Sequence, residues 1–491
     1  MMPNGASRLP PVSPRWSVVL WGAAYLAIAG LLQVNARVPW DADTSYHVAV
    51  ARLLRAHGIL HAFPWTPFSW LSDHYADKEL LFHLVMAPFA GLDWTACAHV
   101  AGTLVGAATL FCSYLVLRSE RVPGAGVWAL LPLCASLVYA FRFTLVRPHV
   151  VSVALALVVL WAAARRAYAV LAVASALYPW AYVGWYLAIV LGVVAESARL
   201  AARKRPIWRT LAVVLVSLAL GIALHPNGLD LFRLAWLVNV KLLIGTAWAG
   251  TPGLELGEEF RHFTLYEWWR YLGAAALATG VSLAVSWRRR ATDSVGLAFA
   301  LGALAFGLLT LFTARFAEYF VPFAILSLAL ASRHVRWRPF TAAVTAGFLL
   351  YQGGPLVGLL RGLREREELI PDDVAAYLQA RIPAGSQVFS CGWLLTGTMM
   401  LALPERKFIV ALDPTLFFFK DPALYRLWFS IPRQPPPDLD EVIRKAFGAR
   451  YVMCLRERRF EEFFERLESG PGVQTVLSSR FWKVYELPGR E

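Results

Sequence analysis

Charged residues are scarce in this chain of 491 residues. Asp, Glu, Lys and Arg make up 16% of it, and 58% of the residues are hydrophobic. A soluble globular domain carries about 25% charged and about 45–50% apolar residues, and a disordered chain is poorer still in apolar residues. The composition therefore excludes intrinsic disorder, argues against a single soluble domain and predicts a protein that crosses a membrane several times.

Cysteine is also scarce, and its spacing indicates neither a zinc site nor a disulfide framework. None of the five cysteines forms a CxxC pair, and Cys97, Cys112 and Cys134 lie in apolar runs. Cys391 and Cys454 lie in the more polar C-terminal part, where they can pair if that part is outside the cytoplasm. Two unpaired thiols are the favoured interpretation.

The positive charge is confined to one part of the chain. Residues 1–360 hold 28 basic and 15 acidic residues, a net +13, whereas residues 361–491 hold 19 and 18, a net +1. Basic loops between apolar helices set the orientation of a membrane protein, with the positive loops in the cytoplasm. No basic stripe interleaved with aromatic residues occurs in a polar domain, so nucleic acid is not an expected partner.

Apolar runs separated by charged loops predict about eleven membrane-spanning helices, because one span needs about 20 apolar residues. The predicted spans are 17–36, 94–116, 125–141, 149–164, 167–180, 182–196, 210–224, 267–287, 295–313, 317–332 and 339–360. The first run is too long for a signal-peptide core, so a retained helix is favoured over a cleaved signal.

This arrangement places every Arg-rich loop on one side of the membrane. The N-terminus is then cytoplasmic and the C-terminal domain extracytoplasmic. The sequence therefore predicts an α-helical, multi-pass protein of the inner (plasma) membrane, with a transmembrane domain over 1–360 and a small α/β domain over 361–491.

Acidic residues of the transmembrane domain are concentrated on the predicted outer side. Twelve of the 15 lie there, namely Asp41, Asp43, Asp73, Asp77, Glu79, Asp93, Asp230, Glu255, Glu258, Glu259, Glu267 and Glu318. Longer outer loops explain part of this skew. They do not explain the clusters within the first outer loop, residues 37–93, which is long enough to predict a functional segment.

Asp41 and Asp43 open this first outer loop, just before an amphipathic helix predicted from Ser45 to Leu60 on the membrane surface. Two carboxylates this close can face one site, act as a catalytic base or bind a hard cation such as Mg²⁺ or Mn²⁺. The alternative is that Asp43 only caps the helix, which leaves Asp41 unexplained. We expect the pair to be catalytic.

A second acidic pair, Asp77 and Glu79, closes the same loop. Together with Asp43 it forms the predicted set of metal ligands. His83 lies four residues beyond Glu79, so a helix would place both on one face, and His47 is a further candidate. A solvated helix end without a ligand is the alternative.

Three basic side chains are candidates for binding a donor phosphate. Arg147 and His149 flank a proline at the start of the fourth span, where helix N–H groups and a guanidinium favour an anion. The alternative for Arg147 is an extended side chain that reaches lipid headgroups. Arg315 lies at another outer turn, where it can instead form an ion pair with Glu318.

The loop after the seventh span opens with a turn signal, His225-Pro226-Asn227-Gly228. Glu258 and Glu259 follow in the same loop and can reach a metal or an acceptor. A solvated charge cluster is the favoured interpretation of these two residues.

Strands alternate with helices in residues 371–491, which end in a predicted hairpin of 473–477 with 481–487. This pattern predicts a mostly parallel sheet. Asp413 follows a strand, the usual position for ligands in such folds. The domain has no Gly-rich phosphate fingerprint, so it is not expected to bind a nucleotide, and we expect it to position the acceptor.

The combined pattern resembles the GT-C glycosyltransferase superfamily, which includes protein O-mannosyltransferases and catalytic subunits of oligosaccharyltransferases. Asp41-Ala42-Asp43 matches its acidic motif in type and position. Segments that resemble a bacterial branch are Arg147-Pro148-His149, His225-Pro226-Asn227-Gly228 and Ala314-Arg315-Phe316-Ala317. The acceptor motif WWDYG of oligosaccharyltransferases is absent, so N-glycosylation of sequons is not expected.

The resemblance implies an inverting enzyme that takes sugar from a polyprenyl-phosphate or polyprenyl-diphosphate donor. Asp41 or Asp43 would be its general base or a metal ligand, with Mg²⁺ or Mn²⁺ as a possible cofactor, although some relatives need no metal. The acceptor can be a protein, a lipid or a polysaccharide. The rivals are a lipid transporter or flippase, which predicts ionisable groups near the membrane midplane, and an inactive GT-C scaffold.

Overall fold

The structure is a computed structural model that describes residues 14–36, 41–242, 254, 261–335, 339–410 and 413–489. Its larger part is a bundle of helices. Their bounds are Pro14–Asn35, Ala42–His57, Leu80–Met86, Trp94–Ser119, Ala125–Trp128, Leu131–Ala135, Leu137–Thr144, His149–Arg165, Tyr168–Ala181, Leu187–Ala201, Trp208–Leu224, Gly228–Ala235, Leu265–Arg288, Ser294–Leu309, Ala317–Ser332 and Phe340–Arg364.

Four of these segments are long and apolar enough to cross a membrane, judged by length and composition. They are Arg15–Asn35, Trp94–Ser119, Ala314–Ser332 and Phe340–Arg364. A fifth candidate is the pair Leu137–Thr144 and His149–Arg165, which is bent by 115°. Every predicted span contains helix, but the number of spans stays a prediction.

The third predicted span is broken. The run 125–141 forms three short helices, because Pro132 lies at the start of one and Ser136 takes an extended conformation and caps the next. By contrast, all sixteen residues of Ala317–Ser332 are buried. A helix that is apolar on every side belongs inside a bundle, so this segment forms its centre.

The first outer loop contains the predicted helix, which we call the first-loop helix, Ala42–His57. Ten of its sixteen residues are buried, so it does not lie open on a membrane surface as predicted. The reason is a helix of the C-terminal domain, the docking helix Thr396–Ala402, which packs on it. Asp41, rather than Asp43, caps the first-loop helix by accepting a hydrogen bond from the Thr44 N–H.

The C-terminal domain contains a five-stranded sheet. Its strands, named β1 to β5 in chain order, are Gln387–Phe389, Lys407–Phe408, Tyr451–Leu455, Gln474–Ser478 and Trp482–Glu486. Their order across the sheet is β2-β1-β3-β5-β4. β1 pairs in parallel with β2 and β3, while β5 pairs antiparallel with β3 and β4. The sheet is therefore mixed, because the predicted hairpin adds antiparallel strands to a parallel half.

Helices cover this sheet, with bounds Asp372–Arg381, Thr396–Ala402, Pro414–Lys420, Pro422–Ser430, Leu439–Phe447 and Glu461–Glu468. Cys391 and Cys454 form a disulfide, so the expectation of free thiols was wrong. The parallel pairing of β1 with β3 brings the two cysteines together, which their separation of 63 residues in sequence did not reveal.

Candidate functional site

A cavity of about 1090 Å³ lies between the helical bundle and the C-terminal domain. The first outer loop, the bundle and the C-terminal domain all contribute to its wall. Its charged wall residues are Asp41, Asp43, Asp77, Lys78, Glu79, Arg142, Arg147, Arg261, Arg315, Arg366, Asp413, Glu457 and Arg459. The two predicted acidic pairs and two of the predicted phosphate ligands therefore share one cavity.

Asp41 is held rigidly in this wall. Its Oδ2 accepts hydrogen bonds from the backbone N–H of Thr44 at 3.1 Å and from the Thr44 hydroxyl at 2.5 Å. Arg147 donates from Nη2 to Oδ1 at 2.5 Å and from Nε to Oδ2 at 3.2 Å. Burial alone would raise the pKa of the Asp41 carboxyl, but Arg147 and Thr44 outweigh it and hold that pKa below its usual value.

Asp43 shares the same arginine but is more accessible. Arg147 Nη1 forms an ion pair with Asp43 Oδ2. The Asp43 side chain is 30% exposed, against 4% for the side chain of Asp41. Arg147 therefore pairs with both carboxylates but offsets the charge of only one of them, and Asp43 is the one that a ligand in the cavity can approach.

Three buried side chains form a cluster of potential metal ligands. The ligand atoms of His47, Glu79 and His83 all lie within 4.8 Å of one another. His47 Nδ1 is 2.9 Å from His83 Nε2, and the other ring nitrogen of His83 is 2.7 Å from Asp77 Oδ2. A carboxylate behind a histidine is the usual means of orienting a metal ligand. Two imidazoles and one carboxylate suit Zn²⁺ or Mn²⁺ better than Mg²⁺.

This set differs from the predicted ligands Asp43, Asp77 and Glu79. Asp43 pairs with Arg147, and Asp77 bonds to His83 rather than joining the three. Glu79 precedes the helix Leu80–Met86, and the backbone N–H of His83 bonds to the Glu79 carbonyl. That single turn puts Glu79 and His83 on one face, as their spacing predicts.

The pKa values of the two histidines shift in opposite directions. Burial, together with the neighbouring His83, lowers the pKa of His47 well below its usual value. Burial also acts to lower the pKa of His83, but the adjoining Asp77 carboxylate outweighs it and raises that pKa.

The turn His225-Pro226-Asn227-Gly228 forms hydrogen bonds with the backbone of Asp77. His225 Nε2 is 3.1 Å from the Asp77 carbonyl, and the Asn227 side-chain oxygen accepts a hydrogen bond from the Asp77 N–H at 3.5 Å. The Asn227 amide also donates to the Leu60 carbonyl at 3.0 Å. The sequence predicted a turn here, but its role in fixing the second acidic pair was missed.

The remaining phosphate candidates are separated by the structure. Arg315 lines the cavity and donates to the Tyr182 hydroxyl from Nη2 at 2.5 Å. His149 does not line the cavity, and its Nε2 lies 2.9 Å from the Arg142 carbonyl. Glu318 forms an ion pair with Arg142, which lines the cavity and was not predicted from the sequence. Only Arg147 and Arg315 of the predicted three face the cavity.

Two other candidates, Glu258 and Glu259, lie outside the described residues. Asp413 is described and lines the cavity, as its position after a strand predicted. Its side chain caps the helix Pro414–Lys420 by accepting a hydrogen bond from the Thr415 N–H at 3.0 Å. The C-terminal domain thus adds a carboxylate to the wall opposite the bundle.

No protein-family model matches this sequence, and no curated protein matches it. Solved structures do match. ArnT from Cupriavidus metallidurans bound to undecaprenyl phosphate aligns with a TM-score of 0.64 and 14% identity, covering 98% of this chain and 100% of that one. The archaeal oligosaccharyltransferase AglB from Archaeoglobus fulgidus, in complex with an inhibitory peptide and a dolichol-phosphate, aligns with a TM-score of 0.60 and 14% identity.

AglB is covered over 70% of its length, by 90% of this chain. The arabinofuranosyltransferase AftD from mycobacteria aligns with a TM-score of 0.57 and 17% identity, covering 98% of this chain and 40% of that one. These neighbours are GT-C glycosyltransferases. The chain therefore shares the fold of these structures, and the predicted resemblance in fold is confirmed.

Proposed function

We propose that this protein is an inverting glycosyltransferase that moves a sugar from a polyprenyl-phosphate or polyprenyl-diphosphate donor to an extracytoplasmic hydroxyl. The observation that carries the proposal is a cavity whose wall contains the Asp41–Asp43–Arg147 cluster together with His47 and Glu79, with His83 bonded to His47. The fold supports it, because ArnT and AglB, which share this fold, have been solved with undecaprenyl phosphate and a dolichol-phosphate.

The accessible carboxylate is the proposed base. Asp43 accepts the proton of the acceptor hydroxyl, while Asp41 fixes Arg147 through two hydrogen bonds. The acceptor oxygen bonds to the anomeric carbon as the bond from that carbon to the phosphate oxygen breaks. The electron pair leaves with the phosphate, and attack from the opposite side inverts the configuration of the anomeric carbon.

Arginines bind the departing phosphate in this proposal. Arg147 and Arg315 line the cavity, and guanidinium groups pair with phosphate oxygens through two parallel N–H bonds. A divalent cation held by His47, Glu79 and His83 would supply further positive charge at the phosphate. Asp77 bonds to the His83 ring and would orient it toward that cation.

Transfer from labelled donors tests the function. Purified protein in liposomes that contain an extract of cell-envelope lipids and glycans as acceptors is given radiolabelled sugars on undecaprenyl phosphate and undecaprenyl diphosphate, and label that moves from the donor to an acceptor is counted. We expect Asp43→Asn to lower turnover by about 100-fold or more, the range for loss of a general base. The matched control is Asp230→Asn, which changes a carboxylate on the exposed Asp230–Arg233 pair outside the cavity.

Three results would contradict the proposal. Equal turnover in wild type and Asp43→Asn would remove Asp43 as the base. Movement of intact donor across the bilayer without sugar transfer would identify a flippase instead. No transfer from any donor, with undecaprenyl phosphate still bound, would identify an inactive scaffold.

The orientation of the chain is part of the proposal. The basic loops favour a cytoplasmic N-terminus, and the Cys391–Cys454 disulfide independently supports an oxidising compartment for the C-terminal domain. Alkaline phosphatase fused after residue 491 should be active in intact cells, whereas green fluorescent protein fused there should stay dark. The reverse result would place the cavity on the cytoplasmic side.

A further inference from the structure

The docking helix touches the first-loop helix backbone to backbone at Gly397. A Cβ atom at Gly397 would lie 2.0 Å from the Ala42 carbonyl oxygen, 2.9 Å from the Tyr46 nitrogen and 2.8 Å from the Tyr46 Cβ. Real Cβ atoms do not come that close to other atoms. Since the nearest atom belongs to the backbone, no side-chain movement relieves the clash, and only glycine fits at this position.

The point of contact is the peptide between the two carboxylates. Ala42 separates Asp41 from Asp43, and its carbonyl lies in the first turn of the first-loop helix. Thr44, in the same turn, holds the Asp41 side chain. Whatever moves this turn therefore moves both carboxylates relative to Arg147.

The docking helix is itself fixed by the rest of the C-terminal domain. Cys391 and Cys454 join the segment that leads into it to β3. The Thr396 N–H then bonds to the Trp393 carbonyl at 3.2 Å as the helix begins. The segment that leads to Gly397 is thus tied to the sheet as well as packed against the first-loop helix.

The domain is also attached to the first outer loop at points away from the acidic pair. The Phe408 N–H bonds to the Trp65 carbonyl at 2.7 Å. Lys420 Nζ lies 2.6 Å from Asp73 Oδ2 and 2.6 Å from Ser72 Oγ. These contacts hold the domain independently of Gly397. A change at Gly397 therefore displaces the first turn of the first-loop helix while the domain stays attached.

We infer that Gly397 is a positioning residue, through which the C-terminal domain holds the first turn of the first-loop helix and so aligns Asp41 and Asp43 with Arg147. The inference deepens the proposed function and depends on it for its catalytic part. The C-terminal domain then helps to position Asp41 and Asp43, in addition to its expected role of positioning the acceptor.

The test compares three variants in purified full-length protein. Gly397→Ala pushes on the first turn, Lys420→Met weakens the same domain contact away from the acidic pair, and Gly489→Ala adds a methyl group in open space in the same domain. Hydrogen–deuterium exchange is measured on the peptide that covers residues 41–47, and turnover and donor KM are measured where the wild type transfers sugar.

We expect Gly397→Ala to speed exchange at Thr44 and Ser45 by about tenfold or more, and to lower kcat by at least tenfold with donor KM within twofold. Lys420→Met and Gly489→Ala should leave both readouts near wild type. Unchanged exchange in Gly397→Ala, or an equal effect in Lys420→Met, would overturn the inference.

Two further outcomes are also decisive. If Gly397→Ala does not accumulate, denaturant-dependent exchange of the wild type replaces it: residues 42–46 and 396–400 should open together, and independent opening would overturn the inference. If the wild type neither binds undecaprenyl phosphate nor transfers sugar, the proposed function fails, while the exchange data still decide whether Gly397 holds the turn.

Discussion

Arg147 donates two hydrogen bonds to Asp41, from Nη2 to Oδ1 at 2.5 Å and from Nε to Oδ2 at 3.2 Å, although the residues lie 106 positions apart. The pair connects the start of the first-loop helix to the segment before the helix His149–Arg165. It therefore connects the first outer loop to the bundle by a buried charge pair with fixed geometry.

Arg147→Ala should destabilise the protein by about 3–5 kcal/mol, because it leaves a buried carboxylate without its partner. Adding Asp41→Asn should recover part of this loss, since the uncompensated charge is then gone. Unfolding in detergent, followed by intrinsic fluorescence, measures both variants. Arg233→Ala is the control, because its pair with Asp230 is exposed and should contribute less than about 1 kcal/mol. Equal losses at the two arginines would contradict this assignment.

Metal binding should follow the histidines rather than Asp43. Wild type incubated with Zn²⁺ or Mn²⁺ and then desalted should retain one metal ion per chain, measured by mass spectrometry of the metal. His83→Ala should lose it, because one of the three donors is removed. Asp77→Asn should keep the metal with about 10–100-fold lower affinity, since it orients the His83 ring.

His57→Ala is the matched control for metal binding, because His57 lies on the exposed end of the first-loop helix. Retention of metal by His83→Ala together with its loss in Asp43→Asn would favour the ligand set predicted from the sequence. Treatment with a chelator should remove the metal from the wild type without unfolding it, because Arg147 and Asp41 hold the turn independently.

The disulfide should stabilise the C-terminal domain against unfolding. Replacing Cys391 and Cys454 together by serine should cost about 2–5 kcal/mol, the usual range for a native disulfide. Cys112→Ser, a change at a free cysteine of the bundle, is the control. Differential scanning calorimetry in detergent measures the loss. A transition that is insensitive to reducing agent would show that the disulfide contributes nothing.

Glu120 should be the most sensitive carboxylate at the opposite end of the bundle. It is buried and accepts hydrogen bonds from Arg165 at 2.5 and 2.6 Å and from Arg333 at 2.9 Å. Glu120→Gln removes the charge that these two arginines share, so we expect a loss of about 3 kcal/mol or more. Glu441→Gln, on the exposed Glu441–Lys445 pair, should leave the transition near that of the wild type in the same unfolding assay, because solvent screens a surface pair. A wild-type transition in Glu120→Gln would rule out a shared charge cluster.

Much of the fold could be predicted from local sequence patterns. The helix Leu439–Phe447 fits the predicted alternation of strands and helices, because its apolar residues recur at helical spacing and Gly448 ends it in a left-handed conformation. Two helices were missed although each begins with an Asp cap and a proline, at Asp413-Pro414 and Asp421-Pro422. An Asp cap followed by proline is a start signal for a helix.

The sequence predicted several candidate residues of the site but not which of them contact one another. The acidic pair, Arg147 and His83 were all found from short-range spacing. The contact of His47 with His83 crosses 36 residues, and the bond of Asn227 to Asp77 crosses 150. Spacing along one helix cannot reveal such contacts, because they depend on how separate elements pack. Gly397 gave no signal, since its role arises only from the backbone it meets.

The bond from the Phe408 N–H to the Trp65 carbonyl has a consequence for biogenesis. Trp65 emerges from the ribosome more than 340 residues before Phe408, so the first outer loop must wait without its partner while the bundle is inserted. The edge of the sheet that this loop covers cannot close until translation is nearly finished. Until the last strands arrive, the loop and the sheet edge both lack their partner, and this is the interval in which incorrect pairing competes with folding.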